Sequence, residues 1–140
     1  MKVVAASGYF DPLHIGHVEH LELAKKLGDK LVVIVNNDEQ AKLKNGSVFM
    51  PQEERMKIIA ALRCVDEVVL SIDKDRTVCK TLEMIKPAIF AKGGDRFAYE
   101  MAETGVCKKN NIQIIDGLGA KIQASSKIRD KIRSQNKPTN

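Results

Sequence analysis

Five short apolar runs, separated by stretches of helical periodicity, constrain this chain more than any other feature. Residues 2–7 (KVVAAS), 30–35 (KLVVIV), 67–70 (EVVL), 88–91 (AIFA) and 112–115 (IQII) read as strands. They are nearly continuous in apolar character, which is the mark of strands covered on both faces and hence of a parallel sheet. Between them, Val18, Leu21, Ala24 and Leu27 recur at helical spacing over 17–27, and Gly28 stops them. Pro51, followed by Glu53 and Glu54, opens a helix that carries Ile58, Ile59, Leu62 and Val65. Further helices are expected over 76–85, 98–108 and 125–134, and a long polar loop over 36–50. The expected fold is α/β: a Rossmann-like parallel five-stranded sheet in the order 3-2-1-4-5, with helices on both faces. At 140 residues it makes one domain, expected over 1–133, with a polar C-terminal tail at 134–140.

A sheet of this kind binds ligands at the carboxyl ends of its strands, where the strand order reverses. Here that point lies between the first and fourth strands. The loop after the first is GYFDPLHIGH, residues 8–17, and the loop after the fourth is Lys92-Gly93-Gly94-Asp95. The chain has three histidines, and His14, His17 and His20 fall within seven residues. His14 and His17 share one side of a first helical turn, where free N–H groups and the helix dipole attract anions. Imidazoles there can donate to phosphate oxygens. Gly16 lets a phosphate approach the backbone, Gly8 lets the chain leave the strand sharply, and Asp11 with Pro12 sets the turn. His20 lies about 240° round the helix from His14, so the three rings cannot converge on a metal ion. No metal site is assigned, and His20 is read as structural or solvent-facing.

A net charge of +5 and a pI of about 9.1 suggest an anionic partner without choosing among nucleotide, nucleic acid and acidic lipid. Trp is absent and aromatics make up 4%, too few for a platform that stacks single-stranded bases. The basic stretch Lys127, Arg129, Lys131 and Arg133 is interrupted by Asp130 and scatters round a helix, as a solvated face does. Neither a nucleic-acid nor a membrane partner is expected: no apolar run approaches the roughly 20 residues of a membrane span. Cys64, Cys79 and Cys107 form no CxxC pattern and read as thiols in a reducing cytoplasm. There is no GxGxxG after the first strand and no GxxxxGK[ST] anywhere.

Residues 7–17, with His14-Ile15-Gly16-His17, resemble the HxGH signature of the cytidylyltransferase-like nucleotidyltransferases. Gly28-Asp29 and Asn37-Asp38 are similar to the family's second unit, and the likeness runs to about residue 133. Glu54-Arg55 and Arg63-x-Val65-Asp66-Glu67-Val68 resemble glycerol-3-phosphate cytidylyltransferases, Lys92-Gly93-Gly94-Asp95 resembles heptose-1-phosphate adenylyltransferases, and Ala124-Ser125-Ser126-Lys127-Ile128 is similar to the family's final motif. The resemblance implies a homodimeric enzyme that joins a nucleoside triphosphate, CTP or ATP, to a small phosphorylated alcohol or sugar and releases pyrophosphate, with Mg²⁺ held mainly through the nucleotide phosphates. A non-catalytic nucleotide-binding or sensor module of the same fold is the alternative; HxGH is also similar to the HIGH box of class I aminoacyl-tRNA synthetases, though the chain is too short for their further domains.

By position, the resemblance assigns His14, His17, Lys44 and Ser126 to catalysis, with Lys42 as a further phosphate contact. It places Gly8, Tyr9, Phe10, Gly16, Gly93, Gly94, Asp95, Ser125 and Arg129 around the nucleotide. It gives Asp11, Asp38, Arg55 and Arg63 to substrate, with Asp11 on the acceptor or on Mg²⁺. From the residues alone, Arg55 could equally be a helix-surface charge, Arg63 a helix-end charge and Ser125 an N-cap. Gly117 to Gln123 stand where CTP-using members carry an Arg-Thr-Glu-Gly-like stretch, which leaves the base open.

Overall fold

The computed structural model describes residues 1–92 and 100–115. Within them the chain runs β1 (Val3–Gly8), α1 (Ile15–Lys25), β2 (Lys30–Val35), α2 (Asp38–Asn45), α3 (Gln52–Ala60), β3 (Glu67–Leu70), α4 (Cys79–Ile85), β4 (Ile89–Ala91), α5 (Glu100–Lys109) and β5 (Gln113–Ile115). The sheet is parallel with the order β3-β2-β1-β4-β5, as the strand pattern predicts. Its register aligns the carboxyl ends: Gly8 faces Val35, Val35 faces Leu70, and Ala6 faces Ala91.

Strand periodicity divides the apolar runs between two cores. Val4, Ala6, Leu31, Val33, Val35, Ile89 and Ala91 point to one face, where Leu21 and Ala24 of α1 and Ile59 of α3 cover them. Ala5, Ile34 and Phe90 point to the other, where Val78, Leu82 of α4, Cys107 of α5 and Ile112 lie. That division explains why the strands read as continuous apolar runs: both sets of side chains are buried. Burial raises the thiol pKa of Cys107 to about 11, so this sulfur is a core atom rather than a nucleophile.

One element departs from expectation. Residues 36–50 are polar and were expected to form a loop, yet Asp38–Asn45 is helical. The cause is a capping box. The Asn37 side chain accepts from the Gln40 N–H (2.9 Å), and the Gln40 side chain accepts from the Asn37 N–H (3.0 Å). Gly46, left-handed at φ 81°, closes the far end by donating to the Lys42 carbonyl (2.8 Å). Smaller differences lie at helix starts: α1 begins at Ile15 because His14 is its N-cap, and Pro51 is the N-cap of α3 rather than its first residue. The expected helix at 125–134, the tail at 134–140 and the Gly93-Gly94-Asp95 loop fall outside the described residues. No helix among the described residues is long and apolar enough to cross a membrane.

Candidate functional site

The loop after β1 carries the two histidines at the amino end of α1. The His14 Nδ1 accepts from the Gly16 N–H, and the His17 Nδ1 accepts from the His14 N–H, both at 3.1 Å. The two rings stack with centroids 3.7 Å apart and planes 27° from parallel. With each Nδ1 used as an acceptor, the proton of a neutral ring must sit on Nε2. The pair therefore offers two Nε2–H donors at a helix N-terminus, which is already a place for anions.

Burial lowers the His17 pKa from 6.5 to about 4, helped by the neighbouring charges of His14, His20 and Lys44. His17 is neutral at pH 7, the state in which its Nδ1 can cap the helix and its Nε2 can donate. Phe10 holds it: the ring meets His17 edge-on at 5.1 Å, is 2% exposed, and sits on backbone with φ 52°. Phe10 was assigned to the nucleotide; in the structure it is a buried support beneath His17. Gly8 explains that support. A Cβ there would lie 2.7 Å from the Phe10 ring, so packing, rather than a sharp exit from the strand, requires glycine.

Lys44, near the carboxyl end of α2, places its ammonium 4.4 Å from the centroid of the Tyr9 ring. Burial and the charge of Arg76 lower its pKa. The structure thus gathers His14, His17, Lys44 and Tyr9 at the carboxyl ends of β1 and β2. Lys42 is exposed in the last turn of the same helix.

The assigned substrate residues fare differently. Both carboxylate oxygens of Asp11 accept backbone N–H groups, from Met50 (2.7 Å) and Phe49 (2.9 Å), so Asp11 pins the segment before α3 to the histidine loop. Arg55 was expected to grip phosphate. It is instead wholly buried, donating to the carbonyls of Met50, Tyr9 and Asn36 and pairing with Asp38 at 2.7 Å. A guanidinium presents a planar fan of donors, and four of its five N–H groups are taken by the protein. Arg63 is exposed, close in sequence to Asp66, whose carboxylate accepts from the Leu31 N–H at the start of β2. It stands at the amino ends of the strands, opposite the histidines. His20 is half-buried, and the Ala91 carbonyl is its backbone partner, which fits the structural reading. Gly93, Gly94, Asp95, Ser125, Ser126 and Arg129 lie outside the described residues.

A polar lattice that the sequence did not announce holds α2 in place. The Gln40 amide donates to the carbonyls of Asp75 (2.6 Å) and Thr77 (2.8 Å), and Asn37 donates to those of Ser71 and Asp73. Asp73 in turn caps α4, accepting from the N–H groups of Lys80 and Thr81. The Asn37-x-x-Gln40 spacing was the available signal; nothing in the sequence marked Arg76. Among the described residues no group of three His, Cys, Asp or Glu could hold a metal ion.

Residues 5–134 match the family model described as cytidylyltransferase-like. The chain belongs to the cytidylyltransferase-like family. An FAD synthase of Ferroglobus placidus is 47% identical over 96 residues, covering 69% of this chain and 61% of that protein. The bifunctional protein HldE of Citrifermentans bemidjiense is 39% identical over 140 residues, covering 95% of this chain and 27% of that protein. The chain thus corresponds to part of each of these relatives. Among solved structures, a lipopolysaccharide core biosynthesis protein of Thermoplasma volcanium superposes with a TM-score of 0.73 at 32% identity, covering 83% of this chain and 95% of that one. The family model spans the paired histidines, α2 and the segment that holds Arg55.

Proposed function

We propose that this chain transfers a nucleotidyl group from ATP to a small phosphorylated acceptor and releases pyrophosphate. The arrangement that carries this reading is the stacked pair His14 and His17, whose Nε2–H groups stand side by side at the start of α1 near Lys44. An acceptor phosphate is already an anionic nucleophile near neutral pH. Its oxygen attacks the α-phosphorus, a new P–O bond forms, and the bond from the α-phosphorus to the bridging oxygen breaks, so that pyrophosphate leaves with the electron pair. Such a reaction needs positioning and charge neutralisation more than a protein nucleophile. The paired donors and Lys44 supply that to the phosphate oxygens. Mg²⁺ fits this site as a companion of the nucleotide: Asp11 and Asp38 are engaged by the protein, and this ion commonly binds through substrate phosphates and water.

ATP is favoured as donor because the FAD synthase relative makes, by its name, an adenine dinucleotide. The test is pyrophosphate release from ATP and from CTP, each with FMN, sugar 1-phosphates and glycerol phosphate. Release from ATP with one acceptor class supports the proposal. Binding of ATP without release across the panel identifies a nucleotide-binding module, and a folded protein that neither binds nor consumes either nucleotide refutes both readings.

A further inference from the structure

Two neighbouring residues of the loop after β1 each set a ring against a basic side chain. Phe10 meets the imidazole of His17 edge-on at 5.1 Å, and the Lys44 ammonium lies 4.4 Å from the centroid of the Tyr9 ring. The backbone that presents Tyr9 is fixed. The Gly8 carbonyl accepts from the Asn36 N–H (2.9 Å), the Tyr9 carbonyl accepts from Arg55 Nη1 (2.8 Å), and Phe10 is buried in the core. Lys44 has the opposite character. It is exposed in the last turn of α2, and its four-carbon stem is flexible. A fixed ring thus meets a flexible cation, and the attraction of an ammonium to the ring quadrupole narrows where that cation sits.

We propose that Tyr9 is a positioning residue: its ring holds the Lys44 ammonium at the carboxyl end of β1, in place for the phosphates of the nucleotide. The proposal rests on the nucleotidyltransferase reading of this site, and it makes Tyr9 act through Lys44 rather than on the nucleotide itself. Ordering a lysine side chain costs rotamer entropy, and a contact made before the ligand arrives lowers that cost on binding. An ammonium carries three N–H donors, and a ring engages one side of it. Lys44 can therefore keep its place over Tyr9 while donating to a phosphate oxygen. The contact is made by the ring, so phenylalanine can replace tyrosine in it.

The test is a double-mutant cycle on ATP affinity, read by calorimetry at fixed salt in the wild type, Tyr9→Leu, Lys44→Met and the double variant, with thermal melting as the check on folding. Tyr9 is half-buried and leucine keeps much of its apolar bulk, so the fold should tolerate the change. Tyr9→Leu should weaken ATP binding about five-fold, and Lys44→Met about ten-fold or more. The double variant should bind as Lys44→Met does, and Tyr9→Phe as the wild type does. By proton NMR, the Lys44 ε-CH₂ should be shielded by the ring in the wild type and in Tyr9→Phe, and lose that shielding in Tyr9→Leu. Unchanged ATP affinity in Tyr9→Leu, an equal loss on adding Tyr9→Leu to Lys44→Met, or an unshielded Lys44 in the wild type would overturn the assignment. A cycle that comes out as expected in a protein that releases no pyrophosphate with any acceptor overturns the transferase reading and leaves the Tyr9 assignment standing. A cycle that fails in a protein that does release pyrophosphate overturns the Tyr9 assignment alone.

Discussion

The ring centroids of His14 and His17 lie 3.7 Å apart, and the two share one hydrogen-bond logic: each uses its Nδ1 to cap the start of α1, and its Nε2 takes no part in that cap. Structure and chemistry are thus divided between the two nitrogens of one ring, and substitutions can separate them.

Asparagine at position 17 can place its amide oxygen near the Nδ1 position while removing the Nε2 donor. His17→Asn should keep the cap and lose the ligand contact. Turnover should fall by about 10²-fold or more, the scale seen when one preorganised donor to a developing anion is removed. Thermal melting should barely move. His17→Ala removes the cap as well, and urea unfolding should show a further loss of about 1 kcal/mol. Near wild-type turnover in His17→Asn would contradict the division of roles.

The same burial that keeps His17 neutral makes the fold sensitive to mild acid. Its folded pKa, about 4, lies below the 6.5 of an unperturbed histidine, so between those pH values the unfolded chain binds more protons than the folded one. Stability should fall as pH drops from about 6.5 towards 4 and gain no further loss from this group below that. Carboxylates with lowered pKa values, Asp66 held by Lys25 and Asp75 held by Thr77, contribute stability that is lost at still lower pH. Urea midpoints measured across this window should flatten in His17→Gln. An unaltered slope would show that His17 is not the group responsible.

Arg55 should behave as a keystone of the loops. Arg55→Ala strands three carbonyls and the Asp38 carboxylate, and the protein should lose about 2–4 kcal/mol of stability. Arg55→Lys should recover little, because one ammonium cannot span four acceptors arranged around a planar fork. Variants with wild-type stability and a raised KM for nucleotide would instead restore the phosphate role.

Gly8→Ala tests the support under His17. The added methyl meets the Phe10 ring at 2.7 Å, and the ring must shift. Overpacking of this kind costs about 1–3 kcal/mol. Because Phe10 contacts His17, the imidazole resonances of His17 should move as well; a loss of stability with unmoved resonances would separate the two contacts.

The sheet was legible because its strands are continuous apolar runs buried on both faces, and the pattern leaves few other arrangements. The histidine pair was legible because two imidazoles three residues apart at a strand-to-helix turn have a single shared direction. α2 was hidden because polar residues made it, and its stability comes from Asn37 and Gln40 rather than from an apolar stripe. The surroundings of Arg55 were hidden for a related reason: position along the chain could not show that four protein acceptors would surround its guanidinium. Where Arg63 lies was hidden as well, because the residues after α3 lead into β3 beside the start of β2.

The central claim, a polyphosphate cradle built from paired imidazoles, is tested most directly by imidazole ¹⁵N NMR of the protein titrated with ATP. At pH 7 both His14 and His17 should show the Nε2–H tautomer, and ATP should shift their Nε2 signals while leaving those of His20 nearly unmoved. Saturating ATP that leaves both pairs of signals in place, or rings found in the Nδ1–H tautomer, would contradict it.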